Sequence, residues 1–458
     1  MPTECIPDLF GFAPADGRAV VAAFDGGRVM SDAGALLLSR TDRAIDLVRR
    51  FAACFQDARS ADFVEHSVSS MVMQRVFGIA LGYEDLLDHD TLRHDPVLAA
   101  CAAKLAGRRD CAPLAGKSTL NRLEHAPAGQ PGRYHRIGHD GAAIERLLVE
   151  FFLDAHPAAP EEIVLDFDAT DPLHGHQEGR FFHGYYDSYC YLPLYVFCGR
   201  HLLAAKLRPA NIEASAGTVD ELARIVAQLR ARWPGVRIIL RADSGFARDA
   251  IMTWCEANRV DYLLGQARNS RLASMIAEPL AGAAAESMAS GKPARRFTEF
   301  RYATRDSWTR ERRVIAKAEQ LPPSGPGTDK SNPRFVVTTL PGDARQLYEE
   351  VYCARGEMEN RIKECQLDLF ADRTSAATMR ANQLRLWFAA MAYVLMDSLR
   401  RIGLARTDLA RATCGTIRLR LLKIGALVRI SVRRVKVAMS SAWPYQNQYR
   451  DAFAALAR

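Results

Sequence analysis

The chain has no CxxC pair. Its ten cysteines, at positions 5, 54, 101, 111, 190, 198, 255, 353, 365 and 414, are scattered, which argues against a zinc knuckle or a disulfide framework and leaves them as small buried hydrophobes. No apolar run approaches the roughly 18 residues of a membrane span, and the opening MPTECIPDLFG lacks the charged-then-apolar order of a signal peptide. A cytoplasmic protein without membrane contact is the expectation. Acids are missing from one long segment: Arg411 to Arg450 carries nine Lys or Arg (411, 418, 420, 423, 429, 433, 434, 436, 450) and no Asp or Glu. Solvated faces usually mix both signs, so an acid-free basic segment is a footprint for phosphate. The whole chain agrees in sign, with a net charge of +8 and a pI near 9.0. That balance favours a polyanionic partner.

With 458 residues and 48% hydrophobic content, the chain can bury a large core and is expected to form two or three domains. The most informative stretch is Ile163 to Asp187, IVLDFDATDPLHGHQEGRFFHGYYD. It opens as a buried β-branched strand, on which Asp166 and Asp168 share a face. A carboxylate leaving a buried strand is costly unless it ligates a cation or reaches water. On these residues alone, a solvated acid pair is an equal alternative. His174 and His176 follow without a third zinc ligand at usable spacing, so contact behind the acids or with a DNA backbone is the better reading. The aromatics around Arg180 and His183 either line a DNA groove or pack a strand.

Two further strands, Tyr191–Phe197 and Leu202–Leu207, form a hairpin. Thr218 and Glu221 then make a capping box for an amphipathic helix. A fourth strand, 236–241, runs into Ala242-Asp243-Ser244-Gly245-Phe246. A helix over 247–257 and a short strand at Tyr262–Leu264 complete the series. Three strands, a helix, a strand, a helix and a strand are the plan of an α/β ribonuclease H-like core. In that plan the first and fourth strands are neighbours, so Asp168 and Asp243 meet at their C-terminal ends, where open sheets bind ligands. Residues 266–342 then read as a β-rich insertion. Beyond it, Tyr352, Arg355 and Glu359 fall at i, i+3 and i+7 of a helix, with Lys363 one turn on. A salt-bridged solvent face would give the same row.

The N-terminal region is helical from about 44 to 106. In LAGKSTLNRLEH, Ser118 is the expected N-cap of a helix bearing Lys117 and Arg122, which either seats a DNA phosphate at its start or is an ordinary amphipathic helix. Residues 125–137 read as a linker. Near the other end, a long helix spans Ala377–Leu404, and the alternation of Arg418 and Arg420 with Ile417, Leu419 and Leu421 predicts a half-exposed basic strand, with Arg433 and Arg434 beyond it.

The acids in their contexts, LDFDAT, LRADSGF and YxxRxxxE, with a β insertion before the last, resemble the DDE transposases of bacterial insertion sequences. More narrowly, the chain is similar to the group-1 transposase DDE domain, related to cut-and-paste transposases with a β-strand insertion domain. The likeness runs from GYEDLLDHDTLRHDP and KSTLNRLEH to ANQLRLWFAAMAYVLMD. It implies a metal-dependent DNA transposase whose catalytic acids are Asp168 (with Asp166 the runner-up), Asp243 and Glu359. Tyr352 and Arg355 match the family's helical signature, and Lys363 takes the part of a family lysine whose position is Gln366 here. Phe335 stands where an aromatic would stack on a displaced base, although a core phenylalanine is the commoner use of such a residue. Three carboxylates at a sheet edge can hold two divalent ions roughly 3.5–4 Å apart, and hard oxygen donors select Mg²⁺ or Mn²⁺. The implied partners are double-stranded DNA, as terminal inverted repeats and target, and a second copy of the chain on paired ends, in the bacterial cytoplasm at the nucleoid. The implied layout is an end-binding helical region (1–150), a catalytic core (160–265 and 343–405), the insertion (266–342) and a basic tail (406–458). Two rivals remain: a metal-dependent nuclease without strand transfer, and an inactive, transposase-derived DNA-binding protein.

Overall fold

A computed structural model describes residues 10–104, 112–125, 132, 134–170, 177–184, 186–322 and 330–457. His174, His176 and most of the expected linker lie outside these residues. The chain divides into two compact units, one of His139–Ala390 and one combining Met1–Gly138 with Met391–Arg458.

The first unit is mixed α/β, built on a nine-stranded mixed sheet. Its strands are β1 (Glu162–Ala169), β2 (Leu194–Cys198), β3 (His201–Lys206), β4 (Arg237–Ala242), β5 (Asp261–Gln266), β6 (Ala294–Tyr302), β7 (Arg312–Leu321), β8 (Lys330–Ser331) and β9 (Arg334–Thr338). They lie in the order β3-β2-β1-β4-β5-β9-β7-β6, with β8 beside β7. β1, β4 and β5 are mutually parallel, and the flanking strands on both sides are antiparallel. A central parallel strand is covered on both faces, which is why β1 and β4 read as nearly continuous apolar runs. Ile163, Leu165, Phe167, Ile238 and Leu240 are fully buried in one core with Leu222, Ile225 and Leu229 of the helix Thr218–Arg232.

Several local expectations change. Thr218 does not cap its helix: Gly217, at a φ of 73°, takes the cap position, and Thr218 is buried. Glu221 turns to Lys206 (2.6 Å) and Arg224 (2.8 Å) instead of back to the cap. Within 266–342 the small-residue stretch Ala277–Ser290 is a helix, as its alanines favour, and it lies against β6 and β7. The strands after it continue the same sheet, because β9 pairs directly with β5.

The second unit holds the helices Ala35–Ile45, Leu47–Ala52 and Val68–Leu81, the last buried along nearly its whole length. Gly82, at a φ of 96°, ends that helix where the sequence breaks. N- and C-terminal segments share this unit: a Cβ on Gly34 would lie 2.1 Å from the Leu421 carbonyl oxygen, so only glycine allows the approach. The expected basic strand at 417–421 is helical, over Cys414–Ile417 and Arg418–Leu422. The Thr413 hydroxyl accepts from the Thr416 amide (3.2 Å) and starts it, and Ile417, Leu421 and Leu422 turn inward. Strands do follow, as a hairpin of β10 (Ala426–Ile430) and β11 (Val435–Met439), with β10 also pairing Val29–Met30. Among the described residues, no helix is long and apolar enough to cross a membrane.

Candidate active site

The parallel register of β1 and β4 decides which acids face each other. Asp166 is level with Arg241, and Phe167 with Ala242. One residue further along stand Asp168, still on β1, and Asp243, just past the end of β4, at the C-terminal edge of the sheet. The two aspartates of β1 therefore have different surroundings. Asp166 is buried, and both its oxygens are taken by the Arg241 guanidinium, at 2.5 Å from Nε and 2.8 Å from Nη2. Arg241 also donates through Nη1 to the Val351 carbonyl, fastening β4 to the segment that carries Tyr352 and Arg355.

That segment is not one regular α-helix. Leu347–Tyr352 is widened to a π-helical turn, Cys353–Arg355 is tightened to a 3₁₀ turn, Gly356–Lys363 is α-helical, and Glu364–Asp368 widens again. Such departures re-aim side chains and are frequent at functional sites. Here Arg355 bridges two of the expected acids: Nη1 donates to Asp168 Oδ2 (3.1 Å) and Nη2 to Glu359 Oε1 (3.0 Å). The Tyr352 hydroxyl lies over Gly265, where a Cβ would come within 2.5 Å of it and within 3.1 Å of the Asp243 carbonyl carbon. Asp243 itself accepts from the Gly245 amide (2.8 Å) and so caps the turn that ends its strand.

Burial pushes the Asp168 carboxyl up to about 6; Asp243 and Glu359 push the same way, against the pull of Arg355 and of the Ala169 amide. Burial also raises the Tyr352 phenol, with Asp243 adding to the rise and Arg355 opposing it. The Arg355 guanidinium is lowered by burial, but Asp168, Tyr352, Asp243 and Glu359 together outweigh that and hold it firmly charged. One half-buried cation is thus the focus of three carboxylates, Asp168, Asp243 and Glu359.

Not every expected residue joins this site. Phe335 is 3% exposed in the core of β9, so it presents no ring to a base. Lys363 is exposed, whereas the Gln366 amide reaches to 3.5 Å from the Thr170 hydroxyl, two residues past Asp168. Lys117, Arg122, Arg418, Arg420, Arg433 and Arg434 belong to the other unit. There the helix Lys117–Glu124 is capped by Gly116 rather than Ser118, and Asp90 already occupies its start, accepting from the Lys117 amide (3.0 Å) and pairing with its ammonium (3.2 Å). Arg122, Arg433 and Arg434 are exposed. Arg418 donates to the Ala80 carbonyl (2.8 Å) at the end of a helix, as cations there do. The Arg420 guanidinium lies over the Tyr445 ring. Buried Arg180 holds the hairpin of Phe181–His183 and Ser188–Cys190 through the Tyr189 carbonyl (2.8 Å), leaving Phe181, Phe182 and Tyr189 exposed.

The donor set at the sheet edge is carboxylate oxygen alone, and it crowds negative charge around the half-buried Asp168. That chemistry fits a hard divalent cation held by Asp168, Asp243 and Glu359. In the arrangement described, Arg355 stands between Asp168 and Glu359. Among the described residues, no group of three or more His, Cys, Asp or Glu is gathered as an ion would gather it. The family model for the transposase DDE domain group 1 matches residues 12–458. The chain belongs to that family. No curated protein matches it closely enough to be called similar. As a DDE-domain transposase, it is expected from its family to act on DNA with divalent metal.

Sequence reasoning missed Arg241 and Gly265. Arg241 had a signal: a lone arginine inside the apolar run 238–242, two residues before Asp243, requires a buried acid as partner, and Asp166 stands two residues before Asp168. Gly265 had none, because its role depends on a chain segment some ninety residues later.

Proposed function

We propose that the chain cleaves DNA at the ends of its own element and joins the freed 3′ end to target DNA, using Asp168, Asp243 and Glu359. The observation that carries this is the register of β1 and β4, which sets Asp168 level with Asp243 while Arg355 ties Glu359 to Asp168. Asp166 is left out of the set because Arg241 occupies both its oxygens. The strand order β3-β2-β1-β4-β5, with helices between the last three, supports a ribonuclease H-like core, with β6 to β9 as its insertion.

The three acids would hold Mg²⁺ or Mn²⁺, which when bound activates the attacking oxygen and stabilises the leaving one. The rest falls to this chain's own groups. Arg355 turns its planar fork from the acids to a DNA phosphate, a like-for-like exchange of oxyanion partners. The Tyr352 hydroxyl, fixed over Gly265 beside Asp243, orients that phosphate. Water is the first nucleophile and the 3′-hydroxyl the second, each losing its proton as the phosphodiester bond is exchanged, and no protein side chain becomes covalently attached. Two copies acting on paired ends in the bacterial cytoplasm complete the reading. It is tested on labelled DNA carrying the terminal repeats that flank the gene: cleavage requires Mg²⁺ or Mn²⁺ and is lost in Asp243→Asn.

A further inference from the structure

The β10–β11 hairpin of the second unit has an arrangement that costs stability in the free protein. Arg429 and Lys436 are directly opposite each other across the ladder, both exposed. Like charges at that spacing repel. No carboxylate compensates them: the sequence has none from 411 to 450, and no ion pair involves these two residues among the described ones. The turn beyond adds Arg433 and Arg434, closed by the Ser431 amide donating to the Arg434 carbonyl (2.9 Å). At its base the hairpin is anchored, with Ala426 and Val428 buried and the Val428 amide donating to the Arg28 carbonyl (2.9 Å). From Arg429 to Arg434 every residue is exposed, and Val432 at the tip is fully so. Two rungs of ladder and a turn therefore stand clear of the unit, roughly 10 Å of ribbon at about 3.3 Å per residue.

We propose that this hairpin is a duplex DNA-binding ribbon: its cationic face, Arg429 and Lys436, lies against phosphates, and its tip, Val432 with Arg433 and Arg434, enters the major groove. A two-stranded ribbon fits that groove, which is about 12 Å wide and about 8.5 Å deep. The opposed cations make sense only against a polyanion, because its phosphates remove the repulsion that the free hairpin carries. The inference rests on the DNA-directed reading above but not on its chemistry.

The test measures binding of the full chain to a mixed-sequence DNA duplex in chelator, across a salt titration. The quadruple variant Arg429→Gln, Arg433→Gln, Arg434→Gln, Lys436→Gln is compared with wild type. The slope of log affinity against log salt should fall by about 1.8, at about 0.9 for each of the two phosphate contacts of Arg429 and Lys436. The variant's melting temperature should hold or rise, since the repulsion is gone. Val432→Asp, a change at a fully exposed position, should weaken binding on its own. Equal salt slopes for wild type and the quadruple variant would overturn the ribbon, and earlier melting of that variant would overturn the like-charge argument. Ribbon-dependent binding by a wild-type chain that cleaves nothing in Mg²⁺ or Mn²⁺ would sink the catalytic reading and leave the ribbon standing.

Discussion

Replacing Arg241 with Met tests the division of labour between the two aspartates of β1. The substitution removes both hydrogen bonds to Asp166 and the tie to the Val351 carbonyl, and it strands a carboxylate that is 4% exposed. Removing one partner of a buried ion pair costs about 3–5 kcal/mol. For a unit of the size of His139–Ala390, that corresponds to a fall in melting temperature of about 6–20 °C. Differential scanning calorimetry at neutral pH reads it directly. The double variant Arg241→Met, Asp166→Leu should recover most of the loss, because a buried pair replaced by apolar groups is often neutral. Some loss should persist, since the tie to Val351 has no replacement. An unchanged melting temperature in the single variant would refute the reasoning, and so would a double variant no better than the single.

Asp168→Asn should stabilise the free protein. Its folded carboxyl, raised by burial to about 6 from an ordinary 3.8, gives stability that is complete below about pH 3.8 and lost as pH rises through about 6. The carboxylate therefore costs roughly 3 kcal/mol above pH 7, and Asn should melt later than wild type there, with no difference near pH 4. A melting temperature below wild type at pH 7.5 would contradict this. Gly265→Ala should lower cleavage while leaving DNA binding intact. Its Cβ would press within 2.5 Å of the Tyr352 hydroxyl and 2.9 Å of the Ser244 amide, an overpacking that costs about 1–3 kcal/mol. Adding Tyr352→Phe should restore part of the melting temperature, and wild-type cleavage by Gly265→Ala would count against the proposed role of Tyr352.

What could be read from the sequence follows how local each signal is. The apolar runs of β1 and β4, each ending in Asp, reported buried parallel strands correctly, because burial on both faces leaves its mark within a few residues. Pairing Asp168 rather than Asp166 with Asp243 depended on register, which no single strand carries. Tyr352 to Lys363 read as one helix at ideal spacing, whereas the segment carrying them passes through a π turn and a 3₁₀ turn beside the tie from Arg241 to the Val351 carbonyl, a contact from a distant strand that local spacing does not carry. Alternation misled at 417–421, where a Thr413 cap and inward-facing leucines favour a helix over the strand. The basic segment was visible as composition. Only the ladder places Arg429 opposite Lys436.

The most direct test of the central claim is a joining assay. Purified chain is mixed with end-labelled DNA bearing the flanking terminal repeats and with a target plasmid, in Mg²⁺ or in chelator, for wild type and Asp243→Asn. The account predicts metal-dependent release of the ends and transfer of the label to the plasmid, both absent in Asp243→Asn. Release without transfer would reduce the chain to a nuclease, and binding without release in either Mg²⁺ or Mn²⁺ would contradict catalysis by Asp168, Asp243 and Glu359.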